Sequence, residues 1–350
     1  MRKIIELVLS AAVFAGVLSA GADGSAFAAA EERYVYVGGA PVGITLDADG
    51  LIVTGICDVR TEEGSVSPLG ESGLQVGDVV KSLDGGRTRN LYDFRRRVAE
   101  SDGEVTLEVE RDSRRFEVTA FPAKDGASGE NRLGLYLKED VGGIGTLTFV
   151  TEEGAYAALG HHVADPETGL SAELQQGKLF DVEISGVQRG EPGRAGGLQA
   201  EINRLAAPIG SNCENTEIGI YGRWNPQPRG EKIRVAGRGE AHPGHAQVLT
   251  TLSGGTPEFY DVDVVKVEPQ SERAQKGLVI AVRDKRLLER AGGIVQGMSG
   301  SPIIQDGVLI GAVTHVFVTD PTRGYGVHAR FMMDEAEKVA RDSGALPDAA

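Results

Sequence analysis

The residues of this sequence best suited to covalent catalysis are Ser299 and the glycines beside it. Ser299 stands in the run Gly297-Met298-Ser299-Gly300-Ser301-Pro302, between two apolar segments. A serine hydroxyl attacks a carbonyl group when a base removes its proton and N–H groups stabilise the oxyanion that forms. Glycine at 297 permits a turn in which its own N–H and that of Ser299 point the same way. The run therefore predicts a nucleophile at Ser299 with Gly297 and Ser299 as oxyanion-hole donors. The competing interpretation is a Gly-rich β-turn with an exposed serine.

Histidine is the residue that usually supplies the base, and the sequence has six. His161 and His162 follow a short apolar strand predicted at 155–159, and a side chain at a strand end can reach the rim of a cleft. His242 and His245 enclose Pro-Gly, which cannot form the helix that a metal-binding pair of this spacing needs. The chain has no His-Glu-x-x-His motif either, so a zinc protease is disfavoured and no metal is predicted. His161 is the candidate base.

A carboxylate commonly orients the histidine of such a site. Asp284 closes a strand predicted at 278–282, shortly before the glycines that lead to Ser299. Asp165, Asp261 and Asp263 are rivals, because spacing along the chain does not separate the four.

The composition favours a chain of many short strands. Glycine accounts for 49 of the 350 residues and aromatic residues for 5%, which is typical of strands joined by Gly turns rather than of helical bundles. The net charge of −15 argues against nucleic acid and anionic lipid as partners, since their phosphates would be repelled. Cys57 and Cys213 lack the spacing of a metal site, and the sequence leaves open whether they pair.

The N-terminus has the features of a targeting segment. Arg2-Lys3 is followed by an apolar run at 7–20 and by Ala26-Phe27-Ala28, a match to an Ala-x-Ala cleavage site. Residues 1–30 are therefore predicted to be a signal peptide or a membrane anchor. The rest of the protein is predicted to be exported, secreted or tethered near a membrane.

Residues 33–122 resemble a PDZ domain, on the block Gly73-Leu74 to Gly85 and the helix that follows it. Asn90 is predicted to cap that helix, which runs from Leu91 to about Ser101. A strand pair is predicted on either side of Asp49-Gly50. In PDZ domains an apolar–Gly–apolar loop binds a peptide's C-terminal carboxylate. The resemblance implies that Val42, Gly43 and Ile44 form this loop.

A polar, Gly-rich stretch at 123–131 is predicted to link this domain to a second one at 132–345. The second domain is rich in predicted strands, which suggests a sandwich or paired barrels. A hairpin is predicted at Asp306-Gly307, and a late helix at 332–341.

The chain has two further features: the order of leader, PDZ-like segment and β-rich domain, and several long sequence motifs. They are the runs at 142–149, 158–165, 292–305 and 311–328. With these motifs the chain resembles the sporulation serine peptidase family of stage IV sporulation protein B over nearly its whole length. The resemblance implies a mainly β fold in which a trypsin-like double β-barrel follows the PDZ domain.

The resemblance also implies a catalytic triad of His161, Asp284 and Ser299, with no cofactor. His162 stands where the family has a small or aliphatic residue, which leaves open which imidazole serves. Lys285 replaces the proline that follows the aspartate in the family.

The physiological role follows from the resemblance alone. It implies secretion from the forespore into the space between two membranes, possible self-cleavage, and cleavage of a membrane-bound regulator so that an intramembrane protease activates a late mother-cell sigma factor. Two alternatives are an envelope quality-control protease and a non-catalytic PDZ adaptor with a degenerate peptidase domain. Labelling of Ser299 by a fluorophosphonate distinguishes an enzyme from an adaptor.

Overall fold

The structure, a computed structural model, describes residues 32–88, 90–165, 168–169 and 176–344. The leader predicted at 1–30 lies outside the described residues. Within the described ranges no helix is long and apolar enough to cross a membrane.

Strands dominate the described chain, and three helices accompany them. In the first half the strands are β1 (Tyr34–Val37), β2 (Pro41–Ile56), β3 (Val59–Thr61), β4 (Gly64–Val66), β5 (Val79–Leu83), β6 (Gly86–Arg87), β7 (Val105–Arg111), β8 (Arg114–Ala120), β9 (Ala123–Lys124), β10 (Asn131–Arg132), β11 (Leu135–Val150) and β12 (Ala155–Ala158). In the second half they are β13 (Gln176–Asp181), β14 (Gly186–Gln188), β15 (Gly197–Gln199), β16 (Gly210–Thr216), β17 (Gly219–Trp224), β18 (Lys232–Val235), β19 (Gly244–Thr250), β20 (Glu258–Val267), β21 (Leu278–Val282), β22 (Pro302–Gln305), β23 (Val308–Phe317) and β24 (Asp320–His328). The helices are α1 (Leu91–Ala99), α2 (Lys285–Ala291) and α3 (Ala329–Asp342).

The first barrel is a closed ring of six antiparallel strands. Their order around the ring is β2, β11, β12, β17, β16 and β13, and β13 pairs back to β2. Closure leaves no open strand edge, and the inward side chains fill the interior. Ile44, Tyr156, Leu179 and Ile220 are among the buried residues of this core.

The second barrel has the same construction. Its strands follow the order β19, β20, β21, β24, β23 and β22, and β22 pairs back to β19. Tyr260, Val262, Ile280 and Ile303 lie in its buried core. The mainly β chain with paired barrels, expected from the resemblance, is confirmed.

The two barrels are joined by β1, β18 and the C-terminal helix. β1 pairs with β11 of the first barrel and with β18, and β18 pairs in parallel with β23 of the second. Helix α3 buries Met332, Ala336 and Ala340 in a core shared with Phe149 of the first barrel and Leu309 of the second. The predicted late helix is confirmed and begins three residues earlier than expected.

Two local predictions made from sequence are also confirmed. Helix α1 begins after Asn90, whose Oδ1 accepts the N–H of Asp93 at 2.8 Å, and it buries Phe94 and Val98. The hairpin of β22 and β23 turns at Asp306-Gly307, where both residues have positive φ (51° and 76°). Short-range signals of this kind depend on neighbouring residues alone.

The domain boundaries differ from those predicted. β1 and the Pro41–Leu46 part of β2 belong to the barrels, and the segment from about residue 47 to residue 138 is inserted between two strands of the first barrel. This inserted module contains β3 to β10, α1 and the adjoining halves of β2 and β11, around a core that includes Leu83, Phe94 and Leu107. The predicted linker at 123–131 is part of it, since β9 and β10 pair with each other.

The prediction that Val42, Gly43 and Ile44 form a carboxylate-binding loop is wrong. All three lie within β2, which pairs with β11 on one side and with β13 on the other. Their backbone groups are therefore within the barrel's hydrogen-bonded ladder. The predicted strand pair across Asp49-Gly50 is also wrong, because β2 continues through these residues and both of its halves pair with β11.

Candidate active site

Ser299 lies at the mouth of the second barrel, in the loop between α2 and β22. The loop packs so closely on the first barrel that residue 300 has no room for a side chain. A Cβ at Gly300 would lie 2.1 Å from the Thr146 carbonyl oxygen and 2.4 Å from the Leu159 nitrogen, and its φ is +94°. Only glycine fits this position.

The first barrel holds this nucleophile loop through two buried threonines of β11. Thr146 N–H donates to the Ser299 carbonyl at 2.9 Å, and its Oγ1 donates to the Gly297 carbonyl at 2.8 Å. Thr148 Oγ1 donates to the Gly300 carbonyl at 2.7 Å. Sequence reasoning gave these threonines no role, although residues two apart on a strand share a face.

The loop leaves two N–H groups without an acceptor. In the hydrogen bonds of the described residues Met298, Gly300 and Ser301 all donate their N–H groups to backbone carbonyls. The N–H groups of Gly297 and Ser299 make no such bond in that part of the chain. These are the two donors predicted for the oxyanion hole, and the arrangement leaves them able to bind a developing negative charge.

The Ser299 hydroxyl donates to the Thr314 carbonyl at 2.8 Å. Ser299 is half-buried, at the junction of the two barrels. Its hydroxyl therefore has a resting partner on β23, and rotation about its Cα–Cβ bond frees it to face another group.

His161 approaches the same place from the first barrel. Leu159 and Gly160 both have positive φ (70° and 73°), which turns the chain sharply after β12. A Cβ at Gly160 would lie 3.0 Å from Thr314 Cγ2 and 3.2 Å from the Val313 carbonyl. His161 thus leaves the first barrel directly beside the residue that accepts the Ser299 hydroxyl.

The ring of His161 is held by a backbone carbonyl. Its Nδ1 lies 2.7 Å from the carbonyl oxygen of His162. Because a carbonyl only accepts, Nδ1 carries the proton and Nε2 holds the lone pair of a base. Burial lowers the pKa of His161 below its usual value, so the imidazole is neutral near pH 7.

The surroundings of His161 distinguish it from His162. The ring of His161 lies 5.0 Å from that of His315, which belongs to β23 of the second barrel. Burial lowers the pKa of His315 to about 4, and its buried Nδ1 has no hydrogen-bond partner among the residues that the structure describes. The side chain of His162 is exposed. His161 is therefore the imidazole that lies between the barrels.

The structure does not bring Asp284 to His161. Asp284 caps α2: its Oδ1 accepts the N–H of Arg286 at 2.8 Å, and its Oδ2 accepts from the Arg286 guanidinium at 2.8 Å and from Asp261 N–H at 3.4 Å. The hydrogen bond from Arg286 lowers the pKa of this carboxyl. β21, which ends before Asp284, is opposite β22 in the barrel order. The predicted contact between Asp284 and His161 is not formed.

The rival aspartates have other partners as well. Asp165 pairs with Lys138 and accepts from Thr168, Asp261 accepts from Gln247 at 3.0 Å, and Asp263 accepts from Arg283 at 2.6 Å. The hydrogen-bond partner of the His161 ring in the described structure is a peptide carbonyl rather than a carboxylate.

Comparison with known proteins gives one family and several distant structures. The model of the SpoIVB peptidase S55 family matches residues 129–333, more than half of the chain. No curated protein matches. Among solved structures, the inactive form of the Rv3671c protease is 13% identical, with 56% of this chain and 84% of that chain covered and a TM-score of 0.33. The active form of that protease, from M. tuberculosis, is 15% identical (61% and 78% covered, TM-score 0.32). The HtrA-type protease AlgW with decapeptide is 8% identical (87% and 66% covered, TM-score 0.36).

Proposed function

Because the chain belongs to the SpoIVB peptidase S55 family and is a serine endopeptidase acting on protein or peptide substrates, we propose that Ser299 is its nucleophile and His161 its general base. The Ser299 hydroxyl leaves the Thr314 carbonyl, and His161 Nε2 takes its proton as Oγ attacks the scissile carbonyl. The N–H groups of Gly297 and Ser299 stabilise the oxyanion. The imidazolium then protonates the leaving amine, and water releases the acyl group in the second half of the reaction.

The observation that carries this proposal is the pair of N–H groups on either side of Met298 that have no acceptor in the described structure. One of them belongs to Ser299, whose loop the first barrel holds in place. The half-buried, neutral His161 leaves that barrel beside Thr314, the residue whose carbonyl accepts the Ser299 hydroxyl. The test is hydrolysis of an unfolded protein substrate by the full chain, followed by mass spectrometry of the new termini. Inhibition by a serine-directed phosphonate with full activity in a chelator supports the proposal, and the reverse pattern contradicts it.

For Asp284 the contacts favour a structural role at the start of α2. We expect Asp284→Asn to keep kcat within about threefold, because asparagine caps helices as well as aspartate does. Loss of the half-exposed ion pair with Arg286 should lower the free energy of unfolding by less than about 1 kcal/mol. If this carboxylate oriented the base, the same change would lower kcat by about 10⁴-fold. Turnover of a quenched-fluorescent peptide, measured beside the unfolding temperature, separates the two.

We further propose the physiological role that the family resemblance implies: export into the space between two membranes, and cleavage of a membrane-bound regulator that leads to activation of a late sigma factor. Family membership and the Arg2-Lys3 to Ala28 leader pattern support this role. Self-cleavage is part of the proposal. Fragments that appear when the protein is incubated alone, and not in its Ser299→Ala form, support it, and an intact wild-type chain argues against it.

A second proposed function is peptide docking by the inserted module, as in a PDZ domain. The first part of β11, Leu135–Lys138, pairs with β2 along one edge. No strand of the described residues pairs with its other edge, and α1 lies on that side. A groove of about 540 Å³ separates this strand from α1. It is lined by apolar side chains from both sides, namely Leu91, Phe94, Val98, Leu133, Leu135 and Leu137.

The residues that lead into this part of β11 have the same apolar–Gly–apolar pattern as residues 42–44. Gly134, between Leu133 and Leu135, has a φ of +68°, and a Cβ there would lie 2.0 Å from the Cys57 carbonyl oxygen. A tight turn thus leads into an open strand edge above an apolar floor. An extended peptide with an apolar last residue and a free carboxylate fits such a groove.

The docking proposal predicts binding of heptapeptides with free C-termini and apolar last residues, detected on a peptide array. Leu91→Lys places a charge in the groove and should weaken binding at least about tenfold, whereas Tyr92→Lys changes an exposed neighbour outside the groove. Amidation of the peptide C-terminus should weaken binding similarly. Equal binding by both variants, or indifference to amidation, would contradict the proposal.

A further inference from the structure

Two half-buried aromatic rings, at the end of β23 and in β24, each have a cation over one face. The ring centroids of Phe317 and Tyr325 lie 4.5 Å apart. The Nζ of Lys276, which precedes β21, lies 5.0 Å from the centroid of the Tyr325 ring. The Cζ of Arg323 lies 5.3 Å from the centroid of the Phe317 ring. These four residues form the cation–aromatic patch.

The two cations of the patch have no carboxylate partner within the described ranges, and their side chains donate no hydrogen bond there. By contrast, Arg283 of the same barrel pairs with Asp263. The acid nearest to Arg323 in the sequence is Asp320, whose carboxylate instead accepts hydrogen bonds from the N–H and the hydroxyl of Thr322. In a chain of net charge −15 the patch is therefore a local site of uncompensated positive charge.

The patch lies on the strand that leads away from the nucleophile. Thr314, whose carbonyl accepts the Ser299 hydroxyl, is three residues before Phe317 on β23. Three residues of a strand span at most about 10 Å. A peptide whose scissile carbonyl is at Ser299 therefore needs only a few residues to reach the patch.

Lys276 is the member of the patch whose charge reaches the candidate active site. Burial and the neighbouring His161 lower the pKa of His315 to about 4, and the charge of Lys276 adds to this effect. The ring of His315 lies 5.0 Å from that of His161. Because His315 is neutral near pH 7, the positive charge on this side of the site comes from the patch itself.

β23 has an open edge where it passes the nucleophile. β22 pairs with it only as far as Ala312, and the Val313 N–H then donates to the Ser301 carbonyl at 2.9 Å. β24 pairs with the next part of β23 along the opposite edge. In the described part of the chain no strand covers residues 314–317 on the side of β22. An extended peptide can add to such an edge as a further strand.

We propose that the cation–aromatic patch selects substrates with an ionised aspartate or glutamate side chain two to four residues from the scissile bond. This inference rests on the proposed function, since it names the class of peptide that the same site cleaves. An arginine stacked on a ring keeps its N–H edge free to bind a carboxylate. The Tyr325 hydroxyl makes no hydrogen bond to any described residue, so it is a further donor for that carboxylate.

The charge of the whole chain predicts the opposite preference. A net charge of −15 repels acidic peptides, so a cleft without a local cation would disfavour them. A preference for an acidic side chain at one position of the substrate therefore reports the patch and not the overall field of the protein.

The test is the cleavage of matched peptides by the full-length enzyme. A digest of denatured proteins, sequenced by mass spectrometry, first supplies a cleaved sequence. Quenched-fluorescent peptides of this sequence then carry Glu, Gln or Lys at each position two to four residues from the cleaved bond, on either side. Near pH 7 and at low salt, kcat/KM for the best Glu peptide should exceed that of its Gln counterpart at least about tenfold. Added salt should reduce this ratio.

Substitutions of the two cations test the patch directly. Lys276→Gln and Arg323→Gln should each reduce the Glu-to-Gln ratio about threefold, and the double variant should bring it within about twofold of one. The kcat/KM of these variants on the Gln peptide should stay within about threefold of wild type, because neither side chain touches the reacting atoms. Lys276→Glu combined with Arg323→Glu should make the Lys peptide the best of the three.

Lys266→Gln is the matched control, because Lys266 is an exposed cation of the same barrel that already pairs with Glu268. Its Glu-to-Gln ratio should equal that of the wild type. A wild-type ratio near one, or a ratio that the double Gln variant leaves unchanged, would overturn the inference and leave the peptidase assignment standing. A wild-type protein that cleaves no peptide and takes no fluorophosphonate label would instead refute the proposed function.

Discussion

Ser299→Ala should reduce kcat by about 10⁶-fold while leaving the fold intact, because it removes the atom that forms the acyl-enzyme. The unfolding temperature should change little, since within the described part of the chain the Ser299 hydroxyl makes a single hydrogen bond, to the Thr314 carbonyl. The measurement is turnover of a quenched-fluorescent peptide, paired with thermal unfolding of the same preparation. Peptide docking in the inserted module should persist in this variant.

Ser301→Ala is the control within the same motif. Ser301 is fully buried, and its hydroxyl bonds to Thr250 Oγ1 at 2.9 Å beneath the nucleophile loop. Its removal should lower the free energy of unfolding by about 1–2 kcal/mol and leave turnover measurable. A Ser299→Ala enzyme with wild-type turnover, or a Ser301→Ala enzyme that folds and has lost all turnover, would contradict the assignment of the nucleophile.

His161→Gln should have an effect of the same size as Ser299→Ala, about 10⁶-fold on kcat, because nucleophile and base act as one unit. Glutamine can still form hydrogen bonds at this position and cannot accept the proton. The double variant Ser299→Ala, His161→Gln should be no slower than either single variant. Single-variant and double-variant rates on the same peptide test this non-additivity.

His162→Gln tests which of the two adjacent histidines, His161 or His162, acts as the general base. The side chain of His162 is exposed, and its backbone carbonyl accepts the hydrogen bond from His161 Nδ1. The variant should therefore retain most of the wild-type kcat. A His162→Gln enzyme as slow as His161→Gln would exchange the roles of the two residues.

Sequence reasoning succeeded where the determining interactions are local. The Ser299 loop, the Asp306-Gly307 hairpin and the Asn90 cap each depend on a few neighbouring residues whose preferences are strong. The position of His161 just beyond a strand is of the same kind. The long motifs of the family supplied the paired barrels, which local patterns alone left open as a sandwich or barrels.

It failed where the outcome depends on pairing between distant segments. Val42, Gly43 and Ile44 have a sequence pattern that also fits a carboxylate-binding loop, and pairing with β11 and β13 makes them a barrel strand. The same pattern at Leu133 to Leu135 lies at the groove. An insertion into a barrel has no local signature, because both of its ends continue as strands.

The partners of the Asp284 carboxylate and the residues that hold the nucleophile loop could not be predicted from the sequence, for a related reason. The family resemblance alone implied Asp284 as the catalytic acid, and the barrel order places its strand opposite β22. Thr146 and Thr148 act through backbone groups of residues 151 and 152 positions away in the chain. A side chain that bonds to a backbone leaves no pattern of paired residue types for sequence reasoning to detect.

The most direct measurement is the mapping of a fluorophosphonate label on the folded full-length protein. Mass spectrometry of the digested adduct should place the label on the peptide 297–302 at Ser299, in stoichiometric amount, and His161→Gln should label far more slowly. A label on another serine, or no label on a folded preparation that cleaves protein substrates, would contradict the account.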